Sequence, residues 1–154
     1  TEQYGIRKGE DRSVKQFDVQ MIDSSVPSQW WREIMKHFVG VGDPFEIRCW
    51  KEETAEIAEA SRYGIAAEEK NEVSIRGTVT EELLEAWLTE EPTYKSIYNK
   101  MTPYFTIHVE NARCDLWSEH YGTELVLEIK TDADIEFFEQ VMRQYPESFS
   151  IGEF

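Results

Sequence analysis

Hydrophobic and polar residues alternate along several short stretches of the chain, which is the pattern of strands that bury one face. In the stretch 44–50, for example, Phe45, Ile47 and Cys49 share one side. The same alternation predicts further strands at 17–22, 72–78, 104–110 and 124–130, and a final strand at 148–154. We therefore expect five or six strands, each with an apolar and a polar side.

Three longer stretches, 28–40, 78–91 and 132–145, repeat their apolar residues at the spacing of an amphipathic helix. In the second stretch, Thr78 and Glu81 have the spacing of a capping box, and Thr80 is an alternative N-cap. Residues 51–70 are rich in alanine and glutamate but are interrupted by a glycine, so we predict a partly helical excursion between two strands.

These elements form three successive strand–helix–strand units, at 17–50, 73–110 and 124–152. Such units predict an α+β domain with a mixed, largely antiparallel sheet and three main helices on one face. The order of the first two units resembles the ferredoxin-like arrangement, and this resemblance is one of topology alone. Residues 1–13 lack periodicity and are expected to form a flexible N-terminal arm, so that 14–154 is a single domain.

The composition is that of a globular protein, since 40% of the 154 residues are hydrophobic and 13% are aromatic. Two cysteines are too few for a disulfide framework. We expect a buried free thiol at Cys49 and a surface thiol at Cys114. The start of the chain does not resemble a signal peptide, and no apolar run is long enough to span a membrane, so a cytoplasmic location is expected.

The charge is unusual, because 31 acidic residues face 16 basic ones, for a net charge of −15 and a pI near 4.6. Such a field repels nucleic-acid phosphates and anionic lipids and attracts basic partners. Solubility alone also explains many acidic proteins. The charge therefore argues against nucleic-acid and membrane partners and favours a basic protein partner.

No motif in the sequence indicates a cofactor, a metal or a catalytic nucleophile. Among the candidate ligands His108, Cys114, Asp115 and His120, the spacings of six residues match no zinc pattern. The stretch "DADIE" begins like an EF-hand loop, but it lacks the sixth-position glycine and has Arg143 in place of the final glutamate. We expect neither a metal nor a catalytic residue.

The sides of the strands that face away from the helices gather basic and aromatic residues, and Glu46 and Glu128 lie among them. This candidate ligand face consists of Arg48, Trp50, Arg76, Tyr104, His108 and Lys130. Cross-strand salt bridges are the simpler interpretation. The alternative is a small-molecule site for an anionic ligand, or a catalytic site with His108 as acid or base.

Glutamates are concentrated in the middle helix, at both its start and its end. Glu81 and Glu82 suit the positive end of the helix dipole, whereas Glu85, Glu90 and Glu91 lie late, where acids are unfavourable. These five residues are our candidates for partner binding.

Trp30 joins them as a candidate anchor. It points about 100° away from its neighbour Trp31, which indicates either a wide core face or an exposed anchor for a partner.

The favoured hypothesis is a non-enzymatic protein-binding domain. An intracellular inhibitor or immunity-type protein that neutralises a basic, nuclease-like toxin fits the charge best. An anionic-ligand or catalytic domain is the alternative, and a homodimer formed through the polar sheet face is a third hypothesis.

Overall fold

The structure, a computed structural model, describes residues 14–154, so the arm predicted for residues 1–13 lies outside the described residues. The described strands are β1 (Lys15–Met21), β2 (Pro44–Trp50), β3 (Gly64–Glu68), β4 (Glu72–Thr78), β5 (Thr106–Glu110), β6 (Cys114–Glu119), β7 (Glu124–Ile129) and β8 (Phe149–Glu153). The described helices are α1 (Gln29–Phe38), α2 (Thr54–Ala60), α3 (Glu81–Thr89) and α4 (Asp132–Arg143).

All eight strands form one antiparallel sheet in the order β3-β4-β2-β5-β6-β7-β1-β8. The α+β class is confirmed, but the sheet of the described residues has eight strands rather than five or six, and none of its strand pairs is parallel. The predicted ferredoxin-like order is wrong, because three strands separate β1 from β2.

The three predicted strand–helix–strand units are present, and each joins two strands of the same direction. Helix α1 connects β1 to β2 across three intervening strands, while α3 and α4 each cross a single strand. Strands β4 and β7 run opposite to β1, and their connections lead along the sheet in the opposite sense, so three connections of the same hand place their helices on one face. Consistent with this, α1 contacts both α3 and α4.

Helix α1 buries an unusually wide stripe, because Trp30 and Trp31 are both fully enclosed. The ring of Trp30 meets Phe149 edge-on at 4.5 Å, and the indole nitrogen of Trp31 donates to Ser118 Oγ at 3.0 Å. The wide core face is therefore correct, and the alternative of Trp30 as an exposed anchor is wrong.

Threonine side chains cap the N-termini of helices α3 and α4. Thr80 Oγ1 accepts from the backbone N–H of Leu83 at 3.1 Å, so Thr80 rather than Thr78 caps α3. Thr131 caps α4 in the same way, accepting from Asp134 N at 3.2 Å. Both helices thus begin with acids near a capped N-terminus, where the helix dipole favours them.

Two strands lie where the sequence predicted none. Strand β6 lies between the strands predicted at 104–110 and 124–130, and β3 follows the short helix α2 within the predicted excursion. Gly64 of β3 lies opposite Gly77 of β4. A Cβ at Gly64 would come within 2.5 Å of the Arg76 carbonyl oxygen, so this close pairing requires glycine.

Both cysteines are free and buried, so the expected surface thiol at Cys114 is wrong. Cys114 begins β6 and faces the helices, as Cys49 does from β2. Burial raises the pKa of each thiol to about 12, which keeps both protonated and unreactive at neutral pH.

Among residues 14–154, no helix combines the length and apolarity that a bilayer span requires.

Candidate functional site

The face of the sheet opposite the helices, here called the open face, is arranged in registered rows across β5, β6, β7 and β1. The central row contains His108, Trp117, Val126 and Asp18, each directly opposite the next. An acidic row lies on either side of it. One contains Glu110, Asp115 and Glu128, and the other contains Glu119 and Glu124.

The six acids of these rows, called the acidic sheet face, include three pairs of like charges directly opposite each other. The acidic sheet face consists of Asp18, Glu110, Asp115, Glu119, Glu124 and Glu128. The facing pairs are Glu110 with Asp115, Asp115 with Glu128, and Glu119 with Glu124. None of the open-face positions of these four strands holds a lysine or arginine. Directly opposed like charges destabilise a sheet.

The middle of the acidic sheet face is aromatic. The rings of His108 and Trp117 stack with centroids 3.6 Å apart, at an angle of 11°. His108 Nε2 lies 2.6 Å from Asp115 Oδ1, which fixes the orientation of the imidazole. The half-buried Val126 extends this row toward β1. The open face therefore presents a flat, partly apolar strip between two lines of carboxylates.

The β2–β4 part of the open face is different, because Arg48, one of its two arginines, is fully engaged by carboxylates. Arg48 donates to Glu46 at 2.7 Å and to Glu72 at 2.8 Å, and it also bonds Glu69. The hydrogen bonds to Glu69, Glu72 and Glu46 raise the pKa of the guanidinium. The predicted cross-strand salt bridges are therefore present around Glu46, whereas Glu128 makes none among the described residues.

The carboxylate of Glu46 holds this network together. It also accepts a hydrogen bond from Ser74 Oγ at 2.6 Å, and Arg76 Nη2 lies 3.5 Å away. Burial acts to raise the pKa of Glu46, but the bonds from Ser74 and Arg48 outweigh it and hold that pKa below its usual value. The part of the open face that carries the arginines is thus internally neutralised.

The structure brings only part of the predicted ligand face together. Arg48, Trp50, Arg76 and His108 lie on the open face. Tyr104 does not, because β5 begins only at Thr106 and the Tyr104 side chain turns into the core. Of the two arginines in the predicted ligand face, only Arg76 has an exposed side chain.

Lys130, the last member of the predicted ligand face, lies just beyond β7. Its ammonium group donates a hydrogen bond to the Asn111 carbonyl oxygen at 3.1 Å. The six residues therefore do not converge on one anion site.

The five candidate glutamates of α3 and the segment after it are all exposed. Glu82 pairs with Arg62 at 2.8 Å. Glu91 pairs with Arg32 at 2.7 Å and with Lys95 at 3.2 Å, which accounts for one of the late acids. The remaining three, Glu81, Glu85 and Glu90, make no ion pair among the described residues. Since α3 packs on the helix side of the sheet, these acids form a surface separate from the acidic sheet face.

The structure does not unite the four metal ligands considered from the sequence. Cys114 faces the helices, and His120 Nδ1 lies 2.9 Å from Glu124. A different trio, His108, Glu110 and Asp115, has ligand atoms within 4.8 Å of one another. Two of its members already satisfy each other through the bond between His108 and Asp115, so we assign no metal to it.

Comparisons with protein families, with curated proteins and with solved structures give no match, so the site is interpreted from its own geometry.

Proposed function

We propose that this chain is a non-enzymatic binding domain that attaches to a basic protein through the acidic sheet face. An inhibitor or immunity-type protein that neutralises a basic, nuclease-like toxin is the form of this function that suits the charge best. The observation that carries the proposal is the set of three directly opposed carboxylate pairs.

Opposed carboxylates weaken the free protein, and a cationic partner reverses their effect. Each opposed pair of like charges costs about 0.2–1 kcal/mol in a sheet. A partner that places lysine or arginine between the rows converts this repulsion into attraction and speeds association. Departures from favourable local pairing of this kind are typical of functional surfaces.

The central row supplies a large aromatic side chain, which a surface of charged residues alone lacks. Tryptophan is enriched among the residues that dominate binding energy, and such residues lie at the centre of an interface surrounded by polar groups. Trp117 has this position, with Glu110 and Asp115 on one side and Glu119 and Glu124 on the other. The partner is expected to cover Trp117 and to place its basic residues over the flanking rows.

The two other hypotheses have less support. An anionic ligand would meet acids on β5, β6 and β7, while Arg48 is engaged by three glutamates. A homodimer formed face to face would set six carboxylates against six. The surface of α3 is the second candidate for the same partner, because Glu81, Glu85 and Glu90 have no ion pair among the described residues.

Two triple variants that remove equal charge separate these surfaces. The sheet variant carries Glu110→Gln, Glu124→Gln and Glu128→Gln, and leaves the bond between His108 and Asp115 intact. The helix variant carries Glu81→Gln, Glu82→Gln and Glu85→Gln. Basic proteins retained from native lysate by the immobilised chain at low salt, and released at high salt, are purified and titrated against each form.

The expected result is a partner whose dissociation constant rises at least about tenfold with the sheet variant and stays within about twofold with the helix variant. The partner's own activity should fall when the unmodified chain is added. Equal weakening by both variants, or the reverse order, would overturn the assignment to the acidic sheet face. Failure to retain any salt-sensitive basic protein would overturn the function itself.

A further inference from the structure

A cleft with a volume of about 560 Å³ lies between helix α2 and the segment that follows α3. Four glutamates and two tyrosines are among the residues that line it, namely Glu56, Glu59, Glu90, Glu91, Tyr94 and Tyr104. We call this the glutamate cleft. It shares no residue with the acidic sheet face, and its volume is in the range of pockets that hold small organic groups.

The carboxylates of the glutamate cleft are neutralised only from outside. Arg62 donates to Glu59 at 2.6 Å, and Arg32 donates to Glu91 at 2.7 Å, but neither arginine lines the cleft. Glu56 and Glu90 make no ion pair among the described residues. The cleft interior therefore has an unbalanced negative charge.

One lysine lines the cleft, and it does not correct this balance. The ammonium of Lys100 lies 3.9 Å from the centre of the Tyr121 ring, a cation–π contact, and makes no ion pair among the described residues. Four carboxylates thus share a cleft with one ammonium group that is held against an aromatic ring.

Tyr104 adds an observation that does not depend on the acids. Its side chain is only 4% exposed. Its backbone N–H bonds to Thr102, yet its hydroxyl has no hydrogen-bond partner among the described residues. Burial, followed by the charges of Glu90 and Glu59, raises the pKa of this hydroxyl. Because Tyr104 is otherwise buried and lines the cleft, a group bound in the cleft could supply a hydrogen bond to this hydroxyl.

We propose that the glutamate cleft binds a single guanidinium or primary ammonium group on an alkyl chain. Glu59 and Glu90 would accept the N–H donors, and the Tyr104 oxygen would accept one more. Tyr94, which is exposed at the cleft, offers an aromatic face to the same cation. The group belongs either to a free organic amine or to an arginine or lysine side chain of a protein.

A pair of peptides tests this proposal. Acetyl-Gly-Arg-Gly-amide and its citrulline counterpart have nearly the same shape, but only the first is charged. Both peptides are titrated into the isotopically labelled chain in 0.15 M salt, because salt screens non-specific attraction to the net charge. Changes in the NMR chemical shifts of backbone amides locate the binding site. We expect the arginine peptide to shift the amides of residues 90–94 and Tyr104, and the citrulline peptide to bind at least about tenfold more weakly.

The source of the cation is separated by a third titration with agmatine, a free alkylguanidine that also carries an amine. Agmatine binding as tight as that of the peptide indicates a free organic cation. Tighter binding of the peptide indicates a protein side chain. Equal binding of the arginine and citrulline peptides would overturn the proposal, as would shifts that avoid the cleft.

Two variants of equal charge provide the matched control. Glu59→Gln with Glu90→Gln should weaken the arginine peptide about tenfold or more, whereas Glu136→Gln with Glu147→Gln, which alters exposed acids elsewhere, should change it less than twofold. Glu90→Gln alone serves as a second test, because this side chain makes no hydrogen bond or ion pair among the described residues and the fold is expected to persist. Equal effects of the two double variants would show attraction to net charge only and would refute the site.

This site is independent of the proposed partner. The sheet variant described above should bind the arginine peptide with unchanged affinity. If the unmodified chain retains no basic protein but binds the arginine peptide, the proposed function is overturned and the glutamate cleft stands. If it retains a basic protein but does not bind the peptide, the reverse holds.

Discussion

At the scale of single residues, Asp134 joins two helices through its carboxylate. Oδ1 lies 2.8 Å from His37 Nε2 at the end of α1, and Oδ2 accepts from Thr131 Oγ1 at 2.8 Å. Burial acts to raise the pKa of Asp134, but the bonds from His37 and Thr131 outweigh it and hold that pKa below the ordinary aspartate value. The ionised form is therefore the one that stabilises the fold.

This lowered pKa predicts a specific dependence of stability on pH. A depressed carboxylate pKa contributes stability that is present above the unfolded-state value and is lost as the pH falls through the folded-state value. Asp134→Asn should lower the free energy of unfolding at pH 7 by about 1–3 kcal/mol. Urea unfolding should show this deficit shrinking below about pH 4, as the unfolded state and then, at lower pH, the folded state takes up a proton on this carboxylate. A deficit that is the same at pH 7 and pH 3 would contradict this role.

The burial of Trp30 shows what the spacing of residues within one helix cannot predict. The position of Trp30 on the helix gives its direction relative to Trp31, but not the width of the surface that α1 covers. That width depends on Phe149, more than 100 residues away, which covers Trp30 from β8. Only the strand order, with β8 at the edge beside β1, brings the two together.

At the scale of elements, the pairing of β6 with β7 makes a prediction about stability. Glu128 lies directly opposite Asp115 on the open face and has no cation among the described residues. Replacing it with glutamine removes the repulsion and keeps the shape, so Glu128→Gln should raise the free energy of unfolding by about 0.2–1 kcal/mol. Glu136→Gln in α4, with no facing acid in a strand, should leave it unchanged. Urea unfolding that shows Glu128→Gln to be destabilising would refute the proposed repulsion.

Strand β6 was missed in the sequence because the residues that build the site disturb its alternation. Ser118 is polar but points inward, where it accepts from Trp31. Trp117 is aromatic but points outward, where it stacks on His108. Strand β3 was missed for another reason, since it is an edge strand whose residues from Ile65 to Glu68 are all exposed, so no side of it is apolar and buried. The strands with regular alternation were predicted correctly.

The candidate site was predictable only up to the register of the strands. Alternation within β2, β4 and β5 correctly placed Arg48, Arg76 and His108 on the open face. Opposition of Asp115 to both Glu110 and Glu128 depends on the order of β5, β6 and β7, which residue spacing within one strand does not define. The distribution of charge on this face is therefore a property of the sheet rather than of any segment.

At the scale of the whole molecule, the net charge of −15 belongs to the described domain. Residues 1–13 contain three acidic and three basic residues and contribute nothing to it. Within the domain, single bases serve several acids at once, as Arg48 does for Glu46, Glu69 and Glu72. The remaining acids repel one another, and a net charge this far from zero weakens the compact state.

This self-repulsion predicts that salt stabilises the fold. Between 0.01 M and 0.15 M salt the screening length falls from about 30 Å to about 8 Å. We expect the melting temperature to rise over this range, and to rise less for the sheet variant, which has lost three of the repelling charges. Thermal unfolding followed by circular dichroism measures both. A melting temperature that falls with salt would show that attractive ion pairs, such as those of Arg48, outweigh the repulsion.

The place of β1 between β7 and β8 has a consequence for synthesis on the ribosome. Among the described strands β1 emerges first, yet both of its neighbours emerge last. About 100 residues separate β1 from β7, so at roughly 5–20 residues per second the nascent strand waits on the order of ten seconds with Phe17 and Val19 uncovered. The growing chain must therefore keep its first strand unpaired until translation of the domain is nearly finished.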